Sequence, residues 1–363
     1  MLDRLPCELI LHILELGVPP THSATAYSTR QTYLHNCCLV SRRLRWVAQP
    51  LLFAVFEASS ALELDSFLRI VRVMGLGDRV QAAALSYPVG KWVTDAGTAP
   101  KDLVQLVQAC PVLEQLNVYG AITGTDTDTR GFDLTVLAGF QKLCSLTLSF
   151  RNLTLSNPFV LPHLVDLTLS HTHTTPETLA AALNPSTLPS LCALAFRTTS
   201  NNAGAFSQPI ETLCPQLHML SRDAIDSDGL ADGTFASFLP WTLVNCSLSL
   251  VGSRAYNLKR VHHLHLLHDP YDQAVDAAPD LVSVETELPL CTLYLSPNLC
   301  PDRSLPVALA RARDDLLTAC IAREIEVCWE HIRDGLDSAI SPSFWHKARA
   351  IRASEGTGVG DRE

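Results

Sequence analysis

The sequence predicts an α/β protein in which a small N-terminal helical module precedes an irregular repeat solenoid and a C-terminal helical cap. Two observations lead to this prediction. Near the start of the chain, apolar residues recur at the three- and four-residue steps of amphipathic helices. Through the middle, a short apolar phrase recurs every 21 to 30 residues, as it does in solenoids. We place the module at residues 1–55, the repeats at 56–300, the cap at 301–352 and a disordered tail at 353–363.

The module is predicted to hold two helical stretches separated by a loop. The first helix covers residues 1–16, where Asp3 is a suitable N-cap and Leu5-Pro6 enter the first turn. The stretch 19–32 is rich in Thr, Ser and Pro, which favours a loop. The second helix runs from Tyr33 to Ala48, and Pro50 is expected to end it because proline lacks an N–H. The apolar residues that share a face of the first helix are Leu9, Ile10, Ile13 and Leu14.

The residues of this module match a known pattern. The matching positions are Leu5, Pro6, Glu8, Leu9, Ile10, Ile13 and Leu14, then Cys38, Leu39, Val40, Ser41, Arg42, Leu44 and Arg45, then Ala48, Leu51, Leu52 and Phe53. Over about residues 3–53 the chain resembles the F-box family. In that family three helices pack together and bind a Skp-type adaptor, which links them to the cullin scaffold of a ubiquitin ligase. The polar insert at 19–32 departs from the family pattern.

The resemblance implies an adaptor-facing surface on the module. The residues that would lie on or beneath it are Leu5, Pro6, Leu9, Ile13, Leu14, Leu39, Val40 and Leu44. A physical argument agrees with this implication. A module of this size has little interior, so many apolar side chains on short helices leave an exposed patch, and such patches mark partner sites. The alternative is that these helices only cap the repeats.

The repeated phrase is an apolar residue, two variable residues, an apolar residue, one variable residue and an apolar residue. Its clearest copies are Leu113/Leu116/Val118, Leu143/Leu146/Leu148, Leu164/Leu167/Leu169 and Leu191/Leu194/Phe196. Weaker copies are Val80/Ala83/Leu85, Leu243/Cys246/Leu248, Val261/Leu264/Leu266 and Leu290/Leu293/Leu295, and incomplete ones begin at Leu217 and Leu281. The last two apolar positions alternate along a strand, so both are expected to face the core. Chance clustering of leucines is the alternative.

Between the phrases, helical patterns predict the segments that connect the strand of one repeat to the strand of the next. Asp102 to Ala109 and Pro176 to Leu183 carry apolar residues at helical spacing. Over roughly residues 79–300 the chain therefore resembles the irregular leucine-rich-repeat arrays that follow the helical module in many adaptor proteins. The variable positions of the strands would then contact a target protein, for example Asn117, Tyr119, Thr147, Ser149, Thr168 and Ser170. His171 and His173 follow one such strand and could extend that surface.

The pattern changes again near the C-terminus. From about Leu305 to Ile332 the apolar residues follow one helical stripe, which predicts one long amphipathic helix or two that cap the solenoid. The residues of that stripe are Leu309, Ala312, Leu316, Cys320, Ile325, Cys328 and Ile332. A shorter helix is expected around 344–351, and the glycine-rich, charged end from 354 to 363 is expected to be disordered.

Composition argues against several functional classes. Hydrophobic residues make up 47% and charged residues 18% of the 363 residues, which fits a folded protein. The formal net charge of -10 gives no support for binding nucleic acid. The start of the chain lacks the apolar stretch of a secretory signal, and no window has the roughly 18 apolar residues of a membrane span. We expect an intracellular protein, cytoplasmic or nuclear, with no membrane partner.

No catalytic, cofactor or metal motif is recognisable in the sequence. Gly-rich phosphate loops, nucleophile elbows and paired Cys-x-x-Cys spacings are absent. The histidines at 262, 263, 265 and 268 fall at variable positions of a repeat, so we interpret them as exposed strand residues rather than metal ligands. The 12 cysteines are scattered, which favours reduced, partly buried thiols. We expect no enzymatic activity and no cofactor.

The sequence thus favours the substrate-recognition subunit of a cullin-type ubiquitin ligase. The N-terminal module would bind a Skp-type adaptor, and the repeats would hold a target protein near the transferring enzyme. One alternative is a leucine-rich-repeat scaffold without a ligase link. Another is an enzyme within a degenerate solenoid, which would need a deep polar cleft with converging titratable groups.

Overall fold

The computed structural model describes the following residues: 5–18, 24–88, 101–121, 132–150, 153–170, 174–198, 212–213, 216–217, 219–224, 243–245, 263–266, 291–295, 299–302 and 304–329. The fold is mixed α/β with parallel strand pairing. The chain forms two compact units, one of Met1–Phe150 with Thr154–Leu164 and one of Arg151–Leu153 with Val165–Glu363. Within the described ranges, no helix has both the length and the hydropathy needed to cross a bilayer.

The first unit begins with three helices, which we call the helical module: α1 (Cys7–Gly17), α2 (Ala24–Val40) and α3 (Arg42–Ala54). The prediction of a loop at 19–32 is wrong from residue 24 onward, because α2 begins at Ala24, and residues 19–23 lie outside the described residues. The polar residues of α2 form the helix because several of them pack against the end of α3, where Arg30 and Gln31 donate to backbone carbonyls. The expected cap at Asp3 lies outside the described residues, and Pro6 is the N-cap of α1.

The second predicted helix of the module is in fact two helices. Ser41 leaves the helical conformation, and its hydroxyl accepts a hydrogen bond from the Leu44 N–H at 3.1 Å, which starts α3 as an N-cap. Pro50 lies inside α3 and does not end it. A proline here costs one backbone hydrogen bond, and packing of the neighbouring Val47 and Ala48 in the core holds the helix together. The break therefore falls at a capping serine rather than at the proline.

Apolar side chains from all three helices form the interior of the module. Ile10 and Leu14 of α1 meet Leu34 of α2, and α3 adds Leu44 and others to the same cluster. The buried members of this cluster are Ile10, Leu14, Leu34, Cys38, Leu44, Val47 and Ala48. These contacts make the three helices one packed body.

After the module, the first unit forms parallel strands. Its strands are β1 (Val55–Ala58), β2 (Ala82–Pro88), β3 (Gln115–Ala121), β4 (Phe132–Asp133) and β5 (Ser145–Ser149). A two-residue strand, β6 (Leu153–Thr154), follows. β1, β2, β3 and β5 pair side by side in that order. The repeated phrase aligns in register, with one row of Phe56, Ala83, Leu116 and Leu146 and a second of Ala58, Leu85, Val118 and Leu148, all buried.

Helices connect these strands. α4 (Ala61–Met74) joins β1 to β2, and α5 (Lys101–Ala109) joins β2 to β3. Short 3-10 helices occupy Gly77–Arg79 and Leu134–Gly139. The predicted helix at 102–109 is confirmed, whereas α4 and β1 were not predicted. A signal for α4 is present in the sequence, since Ser60 caps its first turn and Gly75, at φ 63°, ends it.

The second unit contains a longer parallel ladder. Its strands are β7 (Asp166–Ser170), β8 (Ala193–Thr198), β9 (Met219–Ala224), β10 (Leu243–Asn245), β11 (His263–Leu266), β12 (Thr292–Leu295) and β13 (Glu326–Trp329), paired in that order. α6 (Pro176–Ala182) lies between β7 and β8, where a helix is predicted. Its N-cap, Thr175, accepts a hydrogen bond from the Thr178 N–H at 3.2 Å.

One predicted phrase is out of register. The sequence pattern places the strand apolar positions at Cys246 and Leu248, but the ladder pairs Val244 with Leu220 and Leu264. The phrase therefore begins two residues earlier. A shift of two residues leaves every side chain on the same face of a strand. Periodicity alone cannot distinguish the two frames, and pairing with the neighbouring strands selects one.

The prediction of helical structure from about Leu305 to Ile332 is wrong after Ala322, and residues 330–332 lie outside the described residues. α7 (Val307–Ala322) ends at Arg323, and Glu324 adopts the left-handed conformation at φ 57°. The N–H of Ile325 then donates to the Cys320 carbonyl at 2.9 Å, which closes the helix end. Cys328 lies in β13, which pairs with β12, so the last described element continues the ladder. The predicted helix at 344–351 and the predicted tail at 354–363 lie outside the described residues.

Candidate protein-binding surface

Each helix of the module has a buried face and also carries exposed apolar residues. On α1, Ile10 and Leu14 are buried, whereas Leu9, Ile13 and Leu16 are 50%, 46% and 76% exposed. The exposed three lie at i, i+4 and i+7, so they form one stripe along the helix. A globular helix normally has polar residues on its outer face. The stripe on α1 is therefore an apolar surface without a partner among the described residues.

A second apolar surface lies where α2 ends. Leu34 and Cys38 point into the core, whereas Leu39 and Val40 are 63% and 72% exposed. On α3, Trp46 is 71% exposed. Single exposed apolar residues are common on protein surfaces. Two adjacent exposed apolar residues at the end of a helix are less common. These residues add a second group of uncovered apolar atoms to the module.

Hydrogen bonds from the start of α3 connect it to the segment before α1 and to the end of α2. The Arg43 guanidinium donates to the Leu5 carbonyl, which lies one turn before Leu9. Two residues further along α3, Arg45 Nε donates to the Cys38 carbonyl at 3.0 Å. The start of α3 is thus tied both to the start of α1 and to the end of α2.

Exposed charged residues lie close in sequence to these apolar residues. Arg42 and Arg45 lie beside the end of α2, and Glu8 and Glu15 lie on α1. Protein interfaces commonly have an apolar centre and a polar rim. The arrangement therefore has the chemical character of a surface for another protein rather than for a small polar ligand.

The structure divides the predicted adaptor-facing residues into two groups. Pro6, Leu9, Ile13, Leu39 and Val40 are exposed, and Leu5 is half-buried. Leu14 and Leu44, by contrast, are core residues of the module. They can support the surface from beneath but present no atoms to a partner. Leu16 and Trp46 are exposed apolar residues that the motif did not indicate, although Leu16 continues the helical spacing of Leu9 and Ile13.

The predicted target-binding positions are less accessible than expected. Asn117 and Thr147 are paired across β3 and β5 and are half-buried, as is Tyr119. The other three, Ser149, Thr168 and Ser170, are only 8%, 7% and 9% exposed. The prediction assumed that one face of each strand is open, but all five residues of β7 are buried. Ser149, Thr168 and Ser170 are therefore corrected from contact residues to interior ones.

The remaining candidates for chemistry are few. His263 and His265 lie in β11 as predicted, with His265 opposite Asn245 and Tyr294 in the ladder. His171 and His173 lie outside the described residues. Within the part of the chain that is described, no three His, Cys, Asp or Glu residues come together as metal ligands would. Burial raises the pKa of the Cys110 thiol to about 12 and that of the Cys320 thiol to about 11, so both stay protonated at neutral pH.

Comparison with known proteins adds no assignment. No protein-family model matches the chain, and no curated protein matches its sequence. The interpretation of the module therefore depends on its own residues and geometry.

Proposed function

We propose that this chain is the substrate-recognition adaptor subunit of a cullin-type ubiquitin ligase. In this proposal the helical module is an F-box-like domain that binds a Skp-type adaptor, and through it a cullin scaffold. The observation that carries the proposal is the exposure of Leu9, Ile13 and Leu39 on helices whose opposite faces form a packed core. All three are among the residues that the F-box resemblance assigns to the adaptor.

The geometry of α1 supports a helical partner. A stripe at i, i+4 and i+7 is the pattern with which one helix packs against another or into a groove. Covering an exposed leucine stabilises a complex by roughly 1.5–3 kcal/mol at most. Leu9, Ile13 and Leu39 together could therefore supply several kcal/mol, a useful fraction of a micromolar affinity.

The strand arrangement supports the second part of the proposal, a leucine-rich-repeat region that holds the target. Parallel strands of neighbouring repeats place equivalent apolar residues in rows, and each repeat needs its neighbours to bury them. The rows through Leu116 and through Leu167 have this character. The target would contact those residues of the repeat region that solvent can reach. Among the predicted contact residues, the half-buried ones remain candidates: Asn117, Tyr119 and Thr147.

We assign no chemistry to the chain in this proposal. Its contribution to ubiquitin transfer would be to raise the effective concentration of the target beside the transferring enzyme. No cofactor or metal is required for that role.

Co-purification tests the proposal. The full chain is expressed together with a Skp-type adaptor and a cullin, and we expect all three to elute as one complex. A Leu39→Lys variant places a charge in the apolar surface and should be lost from the complex, whereas Val307→Lys, at an 87% exposed position on α7, should be retained. Absence of the adaptor from the purified wild-type protein would instead favour a leucine-rich-repeat scaffold without a ligase link.

A further inference from the structure

A groove of about 460 Å³ lies in the first unit between α2, the end of α3, β1 and α4. None of the exposed residues of the candidate adaptor surface lines it. Apolar residues make up much of its lining, among them Leu52, Phe53, Leu62, Phe67 and Ile70. It is open along one side and is thus a surface groove rather than an interior cavity.

Aromatic rings give the groove a rigid floor. Phe56 and Phe67 are stacked, with ring centroids 3.7 Å apart and an angle of 11° between their planes. Phe53 lies beside them, with its ring centroid 6.4 Å from that of Phe67. Stacked aromatic side chains have few rotamers to lose when a ligand packs on them. The floor is therefore formed before any ligand arrives.

The wall formed by α4 carries exposed apolar residues as well as charged ones on its outer side. Leu64, Phe67, Leu68 and Val71 bury the inner face of this helix. On the outer side, Leu62 is 77% exposed and Val73 is 81% exposed, with the groove residue Ile70 between them. Ser66 interrupts these apolar residues, but they extend past the end of the groove to Val73, which favours a chain segment over a compact small molecule.

The charges at the groove are negative. Glu57 of β1 and Glu63 of α4 line it, and none of its described lining residues is basic. Burial, and then the charge of Glu63, raise the pKa of Glu57. Glu63 is ionised, since hydrogen bonds from Ser59 lower the pKa of its carboxyl. A carboxylate desolvated beside a like charge is stabilised by a cation, and a ligand with a cationic group would supply one at the groove.

We propose that this groove binds an apolar peptide segment that carries a lysine or arginine, supplied by a partner protein. Apolar side chains of the segment would pack on Phe53, Leu62 and Ile70, and its cationic group would pair with Glu57. The surface is separate from the one assigned to the Skp-type adaptor, so this inference holds whether or not the chain belongs to a ligase.

Fluorescence anisotropy on the full chain tests this assignment. The probes are a fluorescein-labelled peptide built of leucine and lysine and a matched peptide with glutamate at every lysine. We expect saturable binding of the first peptide and at least tenfold weaker binding of the second. Glu57→Gln and Leu62→Ser should each weaken binding of the lysine peptide at least fivefold. Asp65→Asn, an exposed change on α4 outside the groove, should leave the affinity within twofold.

Several outcomes would overturn the assignment. Equal affinity of both peptides, or equal affinity of wild type and Leu62→Ser, would show that the groove is not the site. A dimer in sedimentation that Leu62→Ser dissociates would assign the groove to a second copy of the chain instead. Leu62 is exposed, so its variant tests the proposal even if Glu57→Gln fails to fold. Leu39→Lys should leave peptide binding unchanged, which separates this result from the adaptor test.

Discussion

The side-chain amide of Gln31 on α2 donates to the backbone carbonyl of Val55, the first residue of β1, at 3.2 Å. The same nitrogen lies 3.3 Å from the Leu52 carbonyl at the end of α3. One turn earlier, the Tyr27 phenol oxygen accepts from the Glu57 N–H. An edge strand with open backbone groups invites pairing with other chains. Here α2 occupies the side of β1 that does not pair with β2, and it attaches the helical module to the strands.

Removing the Gln31 amide should therefore weaken this attachment. Gln31→Ala leaves two half-buried carbonyls without this donor, and we expect the free energy of unfolding to fall by about 1–2 kcal/mol. Urea denaturation followed by circular dichroism measures the change. Gln108→Ala, an exposed position on α5, is the control and should change stability by less than about 0.5 kcal/mol. Equal effects of the two changes would contradict this role for Gln31.

Leu34 and Leu39 of α2 differ sharply in exposure, at 0% and 63%. Leu34→Ala opens a cavity in the core of the module and should cost about 3 kcal/mol of unfolding free energy. Leu39→Ala removes atoms that already contact solvent and should cost less than about 0.5 kcal/mol. Chemical denaturation of the two variants compares them directly. A large loss of stability from Leu39→Ala would mean that this side chain is buried in the free protein.

The sequence predicts those elements that a local residue pattern determines. It does not predict those that depend on contacts between residues distant in the chain. The strands at Leu116 and Leu146 follow from the repeated phrase, because an alternating apolar pattern fixes which side chains are buried. The helix at 24–32 does not follow from any pattern. Its stability depends on contacts such as that of Gln31 with Val55, which join residues distant in the sequence. Such contacts override a locally polar composition.

The same reasoning applies to the candidate surfaces. The structure leaves Leu9, Ile13 and Leu39 exposed. Packing within the module buries only Ile10 and Leu14 of α1, whereas the sequence pattern groups these two with Leu9 and Ile13 on one face. The pattern could not indicate that Thr168 is buried, because the accessibility of a strand face depends on what covers it. The groove beside Glu57 was also not predicted, since it forms only when elements distant in sequence come together.

Two glycines after α4 should respond differently to alanine. A Cβ on Gly77 would lie 2.2 Å from the Ala109 carbonyl oxygen, whereas a Cβ on Gly75 would meet nothing within 4 Å. Gly75→Ala should cost only about 1 kcal/mol, from its left-handed φ of 63°. Gly77→Ala must displace backbone and should cost about 2 kcal/mol or more. Thermal denaturation ranks the two, and a more stable Gly77→Ala protein would contradict the close contact.

Asp133 should make stability depend on pH in the acid range. Burial alone would raise the pKa of its carboxyl, but hydrogen bonds from Thr135 and Ser156 outweigh burial and lower that pKa below 3.8. The folded state therefore gains stability from this carboxylate above about pH 4 and loses it as the pH falls through the lowered value. The Thr135 N–H lies 2.9 Å from Oδ1 and the Ser156 N–H 3.3 Å.

Replacing Asp133 with asparagine removes the negative charge of the side chain but keeps its size and shape. Asp133→Asn should lower the free energy of unfolding at neutral pH by about 1–2 kcal/mol. The difference from wild type should shrink as the pH falls through the lowered pKa of the Asp133 carboxyl. Urea titrations at several pH values measure it. A difference that is independent of pH would contradict the ionised hydrogen-bonded state, and Asp65→Asn, on the exposed side of α4, provides the control.

The most direct test of the account is a calorimetric titration of the full chain with a purified Skp-type adaptor. We expect one-to-one binding with a dissociation constant of about 1 μM or below, corresponding to about 8 kcal/mol. Leu39→Lys should weaken that binding by at least tenfold while the protein stays folded, and Val307→Lys should bind like wild type. If the folded wild-type chain releases no heat with the adaptor, or if the two lysine variants bind equally well, the exposed surface of the helical module is not an adaptor site.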